Sequence, residues 1–430
     1  MMACLNSSAK LNEILAGSEL DSRFTALYGA DKVEAQKARY ARVAAAFKEY
    51  YGDTDCAALF SAPGRTEVGG NHTDHNKGRV LAAGINLDAV AMAAPNGTDT
   101  VHVKSERYKM DTVELSCLEP VKAETGKSVS LVRGVCAEFV RRGYKVGGFD
   151  ATTASDVLSG SGVSSSAAFE VLLGTIINHL FNDGAVDDVE IAVIAQKAEN
   201  EFFGKPCGLM DQTACSVGGF VEIDFENPAE PVIEKLDFDF ASCGHSLCII
   251  NTGGSHSDLT HEYAAVRSEM EQAAGCLGKA VLRETQESAV IDSIPVIRAS
   301  CGDRAVLRAL HFHAENKRVL DEAAALRNGD FEKFKQLVIE SGNSSYMYNQ
   351  NVYTCADPAN QPVSLGLALC DYMLKGRGAW RVHGGGFAGT IQAFVPNDLL
   401  DEFKKLMQSV FGEDSCYVLF IRPVGGTRIY

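Results

Sequence analysis

The chain has 430 residues, 46% of them hydrophobic and 22% charged, with a formal net charge of −16. That length suggests two or three domains and a core large enough to stand without staples. The acidic balance argues against nucleic acid or an anionic membrane as the main partner, but leaves a small anionic substrate open. In chain order, residues 1 to about 50 read as helical. "VEAQKARYARVAAAFKEYYG" is rich in good helix formers, and Gly52 is a plausible stop. "CAALFSAPGR" reads as a short strand running into a turn, and 78–95 and 99–105 read as further strands. Residues 130–144 have helical spacing that ends near Gly143, and "GGFDATTASDV" is strand-like. "LSGSGVSSSAAFEVLLGTIINHLF" is a glycine- and serine-rich loop opening into an apolar helix, and "DVEIAVIAQKAENEFFG" is another helix. Strands follow in "GGFVEIDF" and "HSLCIINTGG", a largely helical stretch covers 258–345, and strands close the chain around 378–396 and 416–422. The mixture predicts an α+β protein of two packed lobes. The 13 cysteines are scattered without a Cys-x-x-Cys pair. "MMACLNSSAKLNEILAG" lacks the basic start and apolar run of a signal peptide, and no apolar run approaches membrane-spanning length. A cytoplasmic protein with mostly reduced, buried cysteines is expected.

Three segments carry chemistry. "GRTEVGGNHTDHN" (64–76) crowds Asn71, His72, Thr73, Asp74, His75 and Asn76 behind Arg65 and Glu67. By itself it reads as a zinc site on His72, His75 and Asp74, as a sugar clamp, or as a polar turn. "SGSGVSSSAAFEVLLG" (159–174) places Gly160, Ser161, Gly162, Ser164, Ser165 and Ser166 ahead of a helix start. Unpaired backbone N–H groups and the positive end of a helix dipole there suit a phosphate. The plain alternative is a serine-capped core helix. It is neither a Walker loop nor a dinucleotide fingerprint. "ENEFFGKPCGLMDQTACSVGG" (199–219) carries Glu199, a hard oxygen donor of the kind Mg²⁺ prefers, and Asp211, a candidate base. The alternatives are a solvated helix acid and an N-cap. "RVHGGGFAGTIQAFV" (381–395) marks a tight turn or backbone passing close to a ligand.

These segments resemble, in order and spacing, those of the GHMP kinases, and more closely the galactokinase family. "APGRTEVGGNHTDHN" is similar to that family's Gly-Arg-x-Asn-Leu-Ile-Gly-Glu-His-Thr-Asp-Tyr-Asn signature. "SGSGVSSSAA" resembles its phosphate loop, "PCGLMDQ" its Pro-Cys-Gly-Ile-Met-Asp-Gln segment, and "VHGGGFAGT" its glycine-rich third motif. "NTGGSHSDLTHEY" resembles a further family segment. The resemblance runs from about 62 to 395 and implies a two-lobed GHMP-kinase-like fold, mixed sheets packed by helices, with the active site between the lobes. The implied layout is a helical extension over 1–50, an N-terminal lobe over 51–240 and a C-terminal lobe over 241–430.

The implied reaction is ATP-dependent phosphorylation of the anomeric hydroxyl of galactose by a monomer. Asp211 falls on the family's catalytic aspartate and Arg65 on its companion arginine. Ser166 and Glu199 fall on the Mg²⁺ ligands. Gly160, Ser161, Gly162, Ser164, Ser165 and Ser166 fall on the ATP loop, and Asn71, His72, Asp74, Gly208 and Tyr263 on sugar-contacting positions. The chain departs from the pattern at Glu67 (family Asn), Asn71 (family Glu), His75 (family Tyr) and Leu158 (family Pro). Asn71 motivates a kinase for an amino sugar or uronic acid as the alternative. A catalytically silent sugar sensor is the other, against which Ser166 and Asp211 are both intact. The neighbouring "HFHAE" (311–315) is expected to be a helix face.

Overall fold

The computed structural model describes residues 6–157, 163–254 and 259–430. The chain forms two compact units, the first from 1–65, 84–219 and 422–430, the second from 66–83 and 220–421. The first begins with helices α1 (Ser8–Ala16), α2 (Asp21–Tyr28) and α3 (Val33–Tyr51). Strands β1 (Ala58–Gly69), β2 (Arg79–Pro95), β3 (Thr100–Ser105) and β4 (Met110–Glu114) follow, then α4 (Ser128–Arg141) and β5 (Phe149–Ser155). Helices α5 (Ser165–Phe181), α6 (Asp188–Lys197) and α7 (Met210–Val217) complete its middle segment. The second unit continues with β6 (Phe220–Asp224), β7 (Val232–Leu236), β8 (His245–Asn251) and α8 (Thr260–Cys276). Helices α9 (Glu287–Asp292), α10 (Ile294–Cys301), α11 (Asp303–Arg327), α12 (Phe331–Ser344) and α13 (Pro362–Leu374) come next. It ends with β9 (Ala379–Val382), β10 (Thr390–Pro396), α14 (Leu400–Phe411) and β11 (Cys416–Leu419). The last strand, β12 (Thr427–Arg428), returns to the first unit.

In the first unit the strand order is β12-β1-β2-β5-β3-β4. The sheet is mixed, since β2–β5 and β3–β4 are antiparallel and β3–β5 is parallel. The N-terminal helices bury Leu11, Ile14, Phe24, Leu27, Tyr40, Val43 and Phe47 against Leu59, Val90, Met92 and Ala154 of this sheet. Helices α1–α3 thus share one core with the sheet. In the second unit an antiparallel sheet runs β11-β8-β10-β9. Its face is covered by α13 and α14 through Val363, Cys370, Phe403 and Met407. A second apolar cluster joins α8, α10 and α11 through Val266, Met270, Ile297, Ala309 and Phe312. The first residues of β2 pair with β6, and β6 with β7.

The 78–95 strand and the helical 258–345 stretch agree with the sequence reading. The segment 378–396 is two strands, β9 and β10, separated by the glycine turn. The sequence reading does not include helices α13 and α14 or the short strands β4, β7 and β12, although α14 carries a clear apolar face with Phe403 and Met407. The cysteines differ from expectation. Five of the described ones are buried (Cys136, Cys215, Cys248, Cys370, Cys416), while Cys56, Cys117 and Cys355 are exposed and the rest are intermediate. No helix among the described residues is long and apolar enough to cross a membrane.

Candidate active site

In the first unit, Arg65 follows Gly64 on β1. A Cβ on Gly64 would stand 2.7 Å from the Val163 carbonyl oxygen, which accepts from the Arg65 backbone N–H at 3.1 Å. Only glycine lets the strand pass this close to the residue that leads into α5. The Arg65 Nε then reaches Asp211 Oδ1 at 2.7 Å. Asp211 sits in the first turn of α7, where the helix dipole favours a carboxylate. Its Oδ2 accepts from the Ser164 hydroxyl. Burial would raise the Asp211 pKa. The Arg65 charge and hydrogen bond, the Ser164 hydroxyl and Lys205 outweigh it and hold the carboxyl below its ordinary value.

Ser164 precedes α5 in a left-handed conformation (φ 57°), and no side chain caps this helix. Its hydroxyl is turned to Asp211 and makes no capping bond to the first turn of α5. Two residues along, the Ser166 hydroxyl donates to Glu199 Oε1 at 2.9 Å. Glu199 lies in a π-helical turn, Ala198–Phe203, whose i→i+5 bond from Gly204 N–H to the Glu199 carbonyl is 3.0 Å. Such turns re-aim single side chains at functional sites. Glu199 is almost wholly buried and is further held by Lys205 Nζ at 2.8 Å and Gln212 Nε2 at 2.8 Å. Gln212 Nε2 also donates to Glu170 Oε2 at 3.1 Å. Burial first, and the Glu199 charge second, push the Glu170 carboxyl well above the usual range. Ser165 opens α5, and Gly208 is exposed in the turn before α7. The expected Gly160, Ser161 and Gly162 lie outside the described residues. Among the described residues no three His, Cys, Asp or Glu side chains are placed to hold a metal. The convergent Ser166 hydroxyl and Glu199 carboxylate nevertheless fit magnesium. That ion takes one or two protein oxygens and completes its shell with phosphate and water.

The second unit holds the other expected residues. Asn71 is fully buried. His72 has φ 59°, and its Nε2 is 2.9 Å from the Gly385 carbonyl. Asp74 begins a single 3-10 turn and is partly exposed. Tyr263, on α8, donates its hydroxyl to the Gly386 carbonyl at 2.8 Å. Asn71, His72 and Tyr263 therefore meet at one glycine turn, 384–386. His75 Nδ1 is taken by Asn76 Nδ2 at 2.8 Å.

Sequence reasoning missed the shell around this segment. Glu315 Oε1 accepts from the backbone N–H of Gly70 (3.1 Å) and Asn71 (3.4 Å) and from Ser341 Oγ (2.5 Å), while Oε2 pairs with Arg318. His311, one turn earlier on α11, donates from Nε2 to the Asn71 carbonyl at 2.9 Å and accepts at Nδ1 from Ser344 at 2.8 Å. Both bonds suit a neutral imidazole. Burial lowers the His311 pKa to about 4. Glu315 is buried too, which would raise its pKa, but Arg318, His311 and Arg381 bring it down to about 2. The "HFHAE" stretch is a helix face, and this buried face supports the 70–71 backbone. Nothing local in the sequence marks that role, because the partners are 240 and more positions apart. Lys205 and Gln212 stood inside a quoted motif, but spacing alone did not single them out.

An arginine-held carboxylate and a serine–glutamate oxygen pair thus stand beside the start of α5 in the first unit. The chain matches the model of the GHMP kinases N terminal domain over 130–219 and that of the galactokinase galactose-binding signature over 45–95. It is 31% identical over 369 residues to a galactokinase of Actinobacillus pleuropneumoniae serotype 3 (strain JL03), covering 84% of this chain and 91% of that one. The chain belongs to the galactokinase family. Among solved structures, Lactococcus lactis galactokinase complexed with galactose shares the fold at a TM-score of 0.75 and 24% identity, covering 91% of this chain and all of that one. Methanococcus jannaschii mevalonate kinase is similar at a TM-score of 0.59 and 15% identity, covering 84% of this chain and 98% of that one.

Proposed function

We propose that the protein transfers the terminal phosphoryl group of ATP to the anomeric hydroxyl of galactose, giving galactose 1-phosphate, with magnesium as cofactor. The observation that carries this reading is Asp211, ionised beside Arg65 at 2.7 Å in a chain whose relatives are galactokinases. Phosphoryl transfer needs positioning and charge stabilisation more than covalent help. Asp211 Oδ1 is committed to Arg65. Oδ2, which here accepts from Ser164, is the oxygen that orients the sugar hydroxyl and receives its proton. Arg65 keeps Asp211 ionised and offsets negative charge on the transferred group. The start of α5, with Ser164, Ser165 and Ser166 and the preceding Gly160, Ser161 and Gly162, binds the ATP phosphates. Ser166 and Glu199 would hold Mg²⁺, which supplies charge neutralisation on phosphate oxygens. His72, Asp74, Gly208 and Tyr263 form the sugar set, with Asn71 in the same segment and Asp74 accepting from ring hydroxyls. A kinase for an amino sugar or uronic acid is the second reading, favoured by Asn71 at a position where the family pattern has a carboxylate.

ATP consumption measured with galactose, glucose, galactosamine and galacturonate tests this. Galactose is expected to be the best acceptor. Asp211→Asn is expected to keep sugar binding while turnover falls by roughly 10²–10⁴. Near-normal turnover in that variant would remove Asp211 from the chemistry.

A further inference from the structure

Asn71 has no hydrogen-bonding capacity left for a sugar. Its Nδ2 donates to Glu67 Oε1 at 2.9 Å and to the Gly384 carbonyl at 2.8 Å. Its Oδ1 accepts from Asn351 Nδ2 at 2.8 Å and from Ser345 Oγ at 3.2 Å. A primary amide has two N–H donors and two acceptor lone pairs, so all four are used. The partners are themselves fixed. Arg381, wholly buried, donates to Glu67 Oε1 at 2.8 Å and to the Val68 carbonyl at 2.6 Å. Asn351 also donates to the Gly385 carbonyl at 3.2 Å, and its own carbonyl accepts from Phe387 N–H at 2.5 Å. A Cβ on Gly386 would collide with that same carbonyl oxygen. The carbonyls of Gly384, Gly385 and Gly386 are thus each engaged, by Asn71, by His72 and Asn351, and by Tyr263.

The two departures nearest this turn are complementary. The motif it resembles has Asn where this chain has Glu67, and Glu where it has Asn71, and here the two side chains touch. A carboxylate at 71 with Glu67 unchanged would set two acids on one spot and face the Gly384 carbonyl with no donor. We infer that Glu67 and Asn71 are an exchanged carboxylate–amide pair, and that Asn71 is a positioning residue that pins the Gly384–Gly386 turn instead of a ligand of the sugar. The inference rests on the reading of 71–74 as the sugar segment. Discrimination among sugars then falls to His72, Asp74 and the backbone they share with that turn.

The test is a cycle of Glu67→Asn, Asn71→Glu and the reciprocal double variant, with Asn351→Ala as a milder probe. Thermal stability and kcat and KM for the four sugars and for ATP are measured. Asn71→Glu alone is expected to lose about 10- to 100-fold in kcat/KM for every sugar and to lower Tm. The double variant is expected to regain most of both losses. Asn351→Ala is expected to raise KM for the sugar and leave KM for ATP and the ranking of sugars unchanged. An Asn71→Glu protein that is stable, active and altered in sugar preference would overturn the inference, as would a double variant no better than the single ones. If no sugar in the panel is phosphorylated by the parent protein, the proposed function fails. The Tm cycle still decides the exchange, because it needs no turnover.

Discussion

Asp211, partly exposed, and Glu199, almost wholly buried, are two acids whose different surroundings give them different tasks. Asp211 is bound to a guanidinium and a hydroxyl, which favour its ionised form. Removing the cation reverses that preference. In Arg65→Met the Asp211 pKa is expected to rise, so the acid limb of the kcat/KM profile moves to higher pH, and turnover falls as well. An unmoved acid limb would mean that another group sets it. Glu199 is bound to Ser166, Lys205 and Gln212. Glu199→Gln keeps the size and loses the charge that a hard cation needs. Its magnesium requirement is expected to rise while sugar affinity stays near that of the parent. A titration of activity against magnesium that overlays the parent curve would make Glu199 a structural acid only.

At the scale of the element, α11 is more than a core helix. His311 and Glu315 occupy successive turns on one face and hold the 70–71 backbone. Two titrations follow. His311 has a folded pKa of about 4, below its ordinary 6.5, so between those values the unfolded chain binds more protons than the folded one. Its contribution is complete above about pH 6.5 and is lost as pH falls toward 4, on the order of 3 kcal/mol in all. Glu315 is lowered from 4.5 to about 2. Its contribution is present above 4.5 and lost as pH falls through the folded value, so the two windows adjoin and have the same sign. Denaturant unfolding between pH 7 and 4 is expected to show a steady loss of stability, and His311→Gln is expected to flatten it. A profile as steep in that variant as in the parent would assign the loss to other groups. Among the described residues the two π-helical turns, Ala198–Phe203 and Ser345–Asn349, carry a residue of the candidate site or its shell, Glu199 and Ser345. A helix continued regularly at either place would turn that side chain onto a different face.

Over the whole molecule, the N-terminal helices and the C-terminal strand are integral to the first unit. Asp88, fully buried on β2, accepts from Arg39 of α3 at 2.6 Å, from Tyr28 of α2 at 2.6 Å and from Arg422 at 2.9 Å, and is bonded to Ser61 of β1. Arg39 also reaches Asp156, just past β5, at 3.1 Å. One carboxylate therefore joins segments from both ends of the chain. Burial opposes its ionised form, and the two guanidiniums overcome that. Asp88→Asn leaves two arginines buried without their counter-charge and is expected to destabilise the protein by about 3–5 kcal/mol. A shift in the denaturation midpoint worth less than about 1 kcal/mol would show that the cluster is replaceable.

The motifs and the core periodicity were legible because each is local. Glycine and serine before an apolar run, an acid after a Pro-Cys-Gly turn and the apolar run of β2 all act within a few residues. The same locality placed Asp211, Ser166 and Glu199 in one short list. It could not pair them, because Arg65 and Asp211 are 146 positions apart and Ser166 and Glu199 are 33 apart. It left α13 and the two-residue β12 unread, since their burial depends on the sheet they cover or extend; α14, by contrast, has a local apolar periodicity that was legible and was missed. Least of all could it show that Glu67 and Asn71 face one another across a strand end, or that Arg381, Asn351, His311 and Glu315 surround them. Those contacts arise when α11 and the β9–β10 turn pack on the 66–71 segment. Only that packing takes water away from Asn71 and leaves its amide with four protein partners.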